Sequence, residues 1–235
     1  MHKLYKLSDQ VKSAYENYEF HLVYRRIVNF CAVELSSIYF DISKDILYIE
    51  KKNSLKRRAN QTVLKEVFET ILRLAAPILS FTAEEIWKFG NNPGSIHMQE
   101  YYKLNDKYNN PEIENKMEAL VDIKKDVLKA LELKRAEKVI GSSLEAGIKL
   151  YVKNDTTKTW LNEMGEYIKI FFQVADVELA DERKTEMTEY DNSFIHVEKS
   201  GGNKCSRCWN YTDNIGTDSS HPELCPRCTE IVKSL

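Results

Sequence analysis

Between residues 8 and 40 the apolar positions recur three and four apart, the spacing of a helix that buries one side. Val11, Ala14, Tyr15, Tyr18 and Leu22 form one stripe. Phe20, Tyr24, Ile27, Cys31, Leu35 and Ile38 continue on an overlapping one. The pattern predicts a single long helix, capped by Ser8, that touches two partners, with Tyr18, Phe20 and Tyr24 in the core. The same period returns from Ser54 to Leu79 through Val63, Leu64, Val67, Phe68, Ile71, Leu72 and Ala75, where Pro77 must kink or end the helix. Thr82 and Glu85 read as a capping box before a short helix carrying Ile86, Trp87 and Phe89, closed by Gly90. Asp41 to Glu50 reads as a connection with at most one helical turn, and Asn91 to Asn109 as a surface crossover. Asn110 and Pro111 then open a long helix through Ile113, Met117, Leu120, Val127, Leu131 and Ala136, ended by Gly141.

Beyond residue 141 the period changes to two. Ala146, Ile148, Leu150 and Val152 alternate with Gly147, Lys149 and Tyr151, which predicts a half-buried strand over 145–153. Asp155 is placed to cap a helix with Trp160, Leu161, Met164, Ile168 and Phe171, and further strands are expected near 174–179 and 194–198. The chain is therefore mainly α: a helical bundle over 1–103, a small α+β unit over 104–198, and a terminal segment over 199–235 that carries no comparable apolar pattern.

That terminal segment carries chemistry instead. Cys205, Cys208, Cys225 and Cys228 form two Cys-x-x-Cys knuckles separated by sixteen residues. Each two-residue gap lets a tight turn aim two sulfurs at one point, and four sulfurs close a tetrahedral shell. Zinc suits such a shell, and a closed four-thiolate site leaves no open position for a substrate, so its role is structural. Two disulfides or a rubredoxin-like iron centre are the competing readings; disulfides would need an oxidising compartment. His221, four residues before Cys225, is discounted because four cysteines already complete the shell. A unit this short cannot bury enough apolar surface to fold alone, so metal binding would supply most of its folding free energy.

Composition adds limits rather than chemistry. The chain has 235 residues, 43% of them hydrophobic, enough for real cores, and a formal net charge of −2. A chain of that charge is no general polyanion binder, so a nucleic-acid contact must come from a local cluster of cations. One such cluster exists: Lys51, Lys52, Lys56, Arg57 and Arg58 stand without an acid between them. No apolar run reaches membrane-spanning length, and Met1-His2-Lys3 leads into no signal-peptide core, so a cytoplasmic chain with reduced thiols is expected. Cys31 then reads as a buried, inert thiol. Gly-rich phosphate loops, nucleophile elbows and His-Glu-x-x-His pairs are missing, and the five histidines stand apart, so no catalytic residue is assigned.

Longer stretches carry a resemblance. AYENYEFHLVYRRIVNFC, DISKDILY and RRANQTVLKEVFETILRLAAPILSFTAEEIW resemble the anticodon-binding helical bundle of class I isoleucyl-tRNA synthetases of bacterial type. KVIGSSLEAGIKLYV is similar to the junction domain that follows it, and CSRCWNYT through CPRC to the terminal zinc ribbon. The resemblance runs the length of the chain in the family's order. It implies a helical anticodon-binding bundle, an α+β junction domain and a four-cysteine zinc ribbon, working as a monomer with isoleucine tRNA and with a catalytic domain of the same parent chain. The family's HIGH and KMSKS motifs have no counterpart here, so neither amino-acid activation nor editing is expected of this chain. Arg207 and Trp209 would face the anticodon loop by resemblance, and Lys51, Lys52, Lys56, Arg57 and Arg58 would meet phosphates. Single-stranded RNA is read by aromatic platforms, base-edge hydrogen bonds and cations, which suits these residue types. Two alternatives stay open: Trp209 filling a small core inside the ribbon, and a protein-interaction scaffold that binds no RNA.

Overall fold

A computed structural model describes residues 1–234; the end of the expected 199–235 segment, residue 235, lies outside the described residues. The chain divides into two compact units, one formed by Met1–Leu47 with Lys52–Glu114 and the other by Tyr48–Lys51 with Asn115–Leu235. No helix among the described residues is long and apolar enough to cross a membrane.

The first unit is helical. Helix α1 (His2–Glu16) starts six residues before the expected Ser8 cap, because Leu4 and Leu7 bury with Val11 and Ala14 and Ser8 itself is buried within the helix. Its first turn is anchored by His2, which accepts a hydrogen bond from the Asn110 backbone N–H at 2.9 Å and meets Glu114 at 3.0 Å. The expected single helix breaks at Asn17–Glu19. Tyr18 turns left-handed (φ 58°), with its N–H bonded to the Tyr15 carbonyl at 3.1 Å and the Glu19 N–H to that of Ala14 at 2.8 Å. That pair is the Schellman ending of a helix, made here without glycine. As a result Tyr18, Phe20 and Tyr24 are exposed, Tyr18 by 80%, and not in the core as the stripe predicts.

Helix α2 (Phe20–Asn29) runs on as a wider π-type winding over Phe30–Tyr39 and then as α3 (Phe40–Ile49), so the stretch expected to be a connection is helical. Helix α4 (Leu55–Ala75) starts as expected and ends four residues short of Leu79, ahead of Pro77; the Ser54 hydroxyl accepts from the Arg57 N–H. Helix α5 (Ser80–Phe89) starts before Thr82, so the expected capping box does not form. Glu84 instead accepts from the Ser95 hydroxyl (2.7 Å) and the Ile96 N–H (3.0 Å), which ties the following loop back to the helix. That loop is not wholly superficial, since Ile96 and Leu104 are buried. The core gathers Leu4, Leu7, Val11, Val23, Phe30 and Leu74.

The second unit rests on helix α6 (Pro111–Ala136), which carries Leu120, Ile123, Val127 and Leu131 inward. Strands β1 (Ala146–Val152), β2 (Asp176–Leu179), β3 (Thr188–Glu189) and β4 (Ser193–Lys199) form a sheet of order β2-β1-β4-β3. β1 lies parallel to β2 (Ile148 opposite Val177) and antiparallel to β4 (Leu150 opposite Ile195). The cap of α7 (Asp155–Glu163) is Asn154, whose Oδ1 accepts from the Thr157 N–H at 2.9 Å, one residue before the expected Asp155. Gly165 (φ 51°) separates α7 from α8 (Tyr167–Phe172), where the pattern predicts one helix. Asp126 of α6, fully buried, accepts from the Asn192 N–H (2.8 Å) and the Ser193 hydroxyl (2.9 Å), pinning the helix to the start of β4. The unit ends in a small hairpin, β5 (Asn203–Lys204) with β6 (Tyr211–Thr212), and a short helix α9 (Pro226–Val232).

Candidate metal centre

The hairpin and α9 exist to deliver sulfur. Gly202 opens β5 so close to β6 that an added Cβ would lie 2.5 Å from the Thr212 backbone, hence the missing side chain. The first knuckle is closed by backbone bonds from the Trp209 N–H to the Cys205 carbonyl and from the Cys205 N–H to the Asn210 carbonyl, both 2.9 Å. Closure forces Trp209 into the left-handed region (φ 63°). The second knuckle uses a helix start: Cys225 is the cap of α9, Pro226 follows at its first position and Cys228 sits in its first turn.

The four sulfurs lie within 4.8 Å of one another, with Cys208 and Cys225 at 3.8 Å. A tetrahedral zinc with Zn–S bonds of about 2.3 Å sets its sulfurs about 3.8 Å apart, so the donor set fits the ion in kind, number and spacing. Cys205 and Cys228 are fully buried, and no histidine joins the cluster among the described residues, His221 included. Sulfurs this close share protons. Hydrogen bonds from Cys208 and then Cys228 hold the Cys225 thiol well below its ordinary range, while Cys208 is driven far up by its bond to Cys225. A metal ion bound by the four sulfurs would displace their protons.

Around the sulfurs lie Ile49, Ile231, Ile215 and Leu224, a small core that linear spacing does not reveal. Trp209 is not in it. The residue is 61% exposed, with the Lys204 ammonium 5.3 Å from its ring centroid, which leaves an aromatic side chain and a cation together at the surface. Arg207 points the other way. One guanidinium nitrogen donates to Cys228 Sγ at 3.7 Å and the other to the Ile49 carbonyl at 2.8 Å. Lys51 bonds Glu230 of α9 at 2.7 Å, which holds that carboxyl below its usual range. Lys51, Arg207 and Trp209 therefore belong to the second unit. Lys52, Lys56, Arg57 and Arg58 belong to the first, the last three in the opening turn of α4, where no acid stands. Cys31 is half-buried on the apolar side of the first unit, and burial pushes its thiol up, as an inert thiol requires.

Residues 1–151 match the family described as anticodon-binding domain of tRNA ligase, and residues 202–231 match the zinc finger found in FPG and IleRS. Among similar proteins are isoleucine–tRNA ligases of Brachyspira hyodysenteriae (40% identical, covering 99% of this chain), Syntrophotalea carbinolica (41%, 98%) and Desulforamulus reducens (43%, 98%). The chain spans about a quarter of the length of each: 25%, 25% and 26%.

Proposed function

The chain belongs to the family of tRNA ligase anticodon-binding domains, and from that premise we propose that it is the RNA-gripping, non-catalytic C-terminal part of an isoleucine-tRNA ligase. It binds the anticodon arm of isoleucine tRNA and holds it for ATP-dependent aminoacylation by a catalytic domain of the parent protein, in the cytoplasm. Zinc, held by Cys205, Cys208, Cys225 and Cys228, has a structural role: the ion keeps the ribbon folded and its aromatic surface in place. Trp209 offers the stacking face. Lys52, Lys56, Arg57 and Arg58 offer phosphate contacts, joined by Lys51 and by those of the five Arg207 N–H donors not spent internally.

The observation that carries the phosphate reading is the first turn of α4. A helix N-terminus has a positive dipole end and favours acids, yet this one carries Lys56, Arg57 and Arg58 and no carboxylate. That arrangement disfavours the free helix and suits an anion. Three cations at the positive end of a helix are what a phosphate would offset. The test is filter binding of isoleucine tRNA and of non-cognate transcripts across a salt series. The expected result is preference for the isoleucine transcript, and a log–log salt slope that becomes shallower by about three to four when Lys51, Lys52, Lys56, Arg57 and Arg58 are all changed to glutamine. Equal binding of all transcripts would refute the specificity. An unchanged slope would remove the five cations from the interface.

A further inference from the structure

Arg207 does more in this fold than face a ligand. Ile49 is the last residue of α3, so its carbonyl is one of those a helix leaves without an internal donor. The Arg207 guanidinium fills that need at 2.8 Å while its other nitrogen donates to Cys228 Sγ at 3.7 Å. The same segment is held twice more. Ile49 is buried with Cys205, Cys225, Cys228 and Ile231, and Lys51 is ion-paired to Glu230.

We propose that Arg207 is a positioning residue that fastens the segment Tyr48–Lys51 to the sulfur cluster, so that loading the cluster with metal and ordering this segment are one event. The chemistry requires a planar fork. A single guanidinium reaches a sulfur and a carbonyl at once through separate nitrogens, which one ammonium does less well. Four thiolates around a divalent cation carry a net charge of −2, and a guanidinium donating to one of them offsets part of it. Donors of this kind tune both the affinity of a thiolate site and the order of what surrounds it. Without an ion the four sulfurs are no longer drawn to one point, so the Arg207 fork and Ile49, which pack on that cluster, lose their common anchor. This inference concerns the chain's own order and stands or falls apart from RNA binding.

The test is backbone hydrogen exchange read at Ile49 and Glu50, with zinc affinity measured by competition against a chromophoric chelator, on the full chain. In the natural protein, stripping zinc should speed exchange at these amides at least tenfold. In zinc-loaded R207Q exchange should approach the stripped level although cobalt substitution still gives the four-thiolate charge-transfer spectrum, and zinc affinity should fall about 10- to 100-fold. R207K, which keeps the charge without the fork, should recover affinity better than protection. Protection in R207Q equal to the natural protein would overturn the proposal. Should R207Q fail to fold, the natural protein decides alone: equal exchange at Ile49 and Glu50 with and without zinc sinks it.

Discussion

Glu114 receives Lys6 at 2.8 Å and His2 at 3.0 Å, and these hydrogen bonds, that of Lys6 foremost, hold its carboxyl below the usual range. A depressed carboxylate stabilises the folded state fully above its unfolded pKa, about 4.3, and loses that contribution as pH falls through the lower folded value. E114Q should therefore lower the thermal midpoint by roughly 2–4 °C at pH 7, and the difference should vanish once the pH lies below the lowered folded value; scanning calorimetry at pH 7 and at a pH below that range checks it. An equal drop at both would assign the loss to packing instead. At this scale the sequence is readable where a residue type has one dominant use. Four cysteines in two close knuckles have few other fates, and Ser54 and Asn110 cap the helices they precede. The stripe misplaces Tyr18, Phe20 and Tyr24 because it assumes that the helix continues, and the break at residue 17 turns them out to solvent.

Helix ends account for most of the disagreement between pattern and structure. The first helix, α6 and α8 all finish on a left-handed residue that is not glycine: Tyr18, Lys138 and Gln173, with φ of 58°, 59° and 58°. Glycine is the usual signal for such an ending, and without it the apolar period runs on past the true stop. Lys138 repeats the Schellman geometry, with its N–H on the Arg135 carbonyl and the Val139 N–H on that of Lys134, both 3.0 Å. An L-residue there costs about 1–2 kcal/mol, part of which glycine returns through its freer unfolded chain. K138G should stabilise the protein by about 0.5–1 kcal/mol in urea unfolding and K138A should be near neutral, because both alanine and lysine keep the Cβ. If K138A matches K138G, the gain comes from removing a charge and the strain account fails. The π-type winding of Phe30–Tyr39 is likewise illegible in the sequence, since its apolar residues fit a 3.6-residue period as well as a wider one. Strand β1 is legible nearly to the residue, because strict alternation has one structural meaning.

Across the whole chain, the first unit and the terminal ribbon reach stability by different routes. The first buries a continuous apolar core of leucines and valines along α1, α2 and α4. Among the described residues the ribbon has only Ile49, Ile215, Leu224 and Ile231 beside its sulfurs, too little apolar surface to offset the ordering of some thirty residues. Its partners also come from far away in sequence: Arg207 and Ile49 are 158 positions apart, a pairing no periodicity announces, whereas the cysteine ligands lie close enough to be read directly. It follows that a strong chelator should remove the ribbon's order and leave the α-helical signal of the first unit largely intact. Circular dichroism at 222 nm should fall only slightly while exchange across Lys204–Cys228 rises to unfolded rates, and zinc should restore both. Loss of most of the helical signal on chelation would mean that the metal organises the first unit as well, and an unaltered ribbon would mean that the four sulfurs hold together without an ion, against the charge they would then have to share.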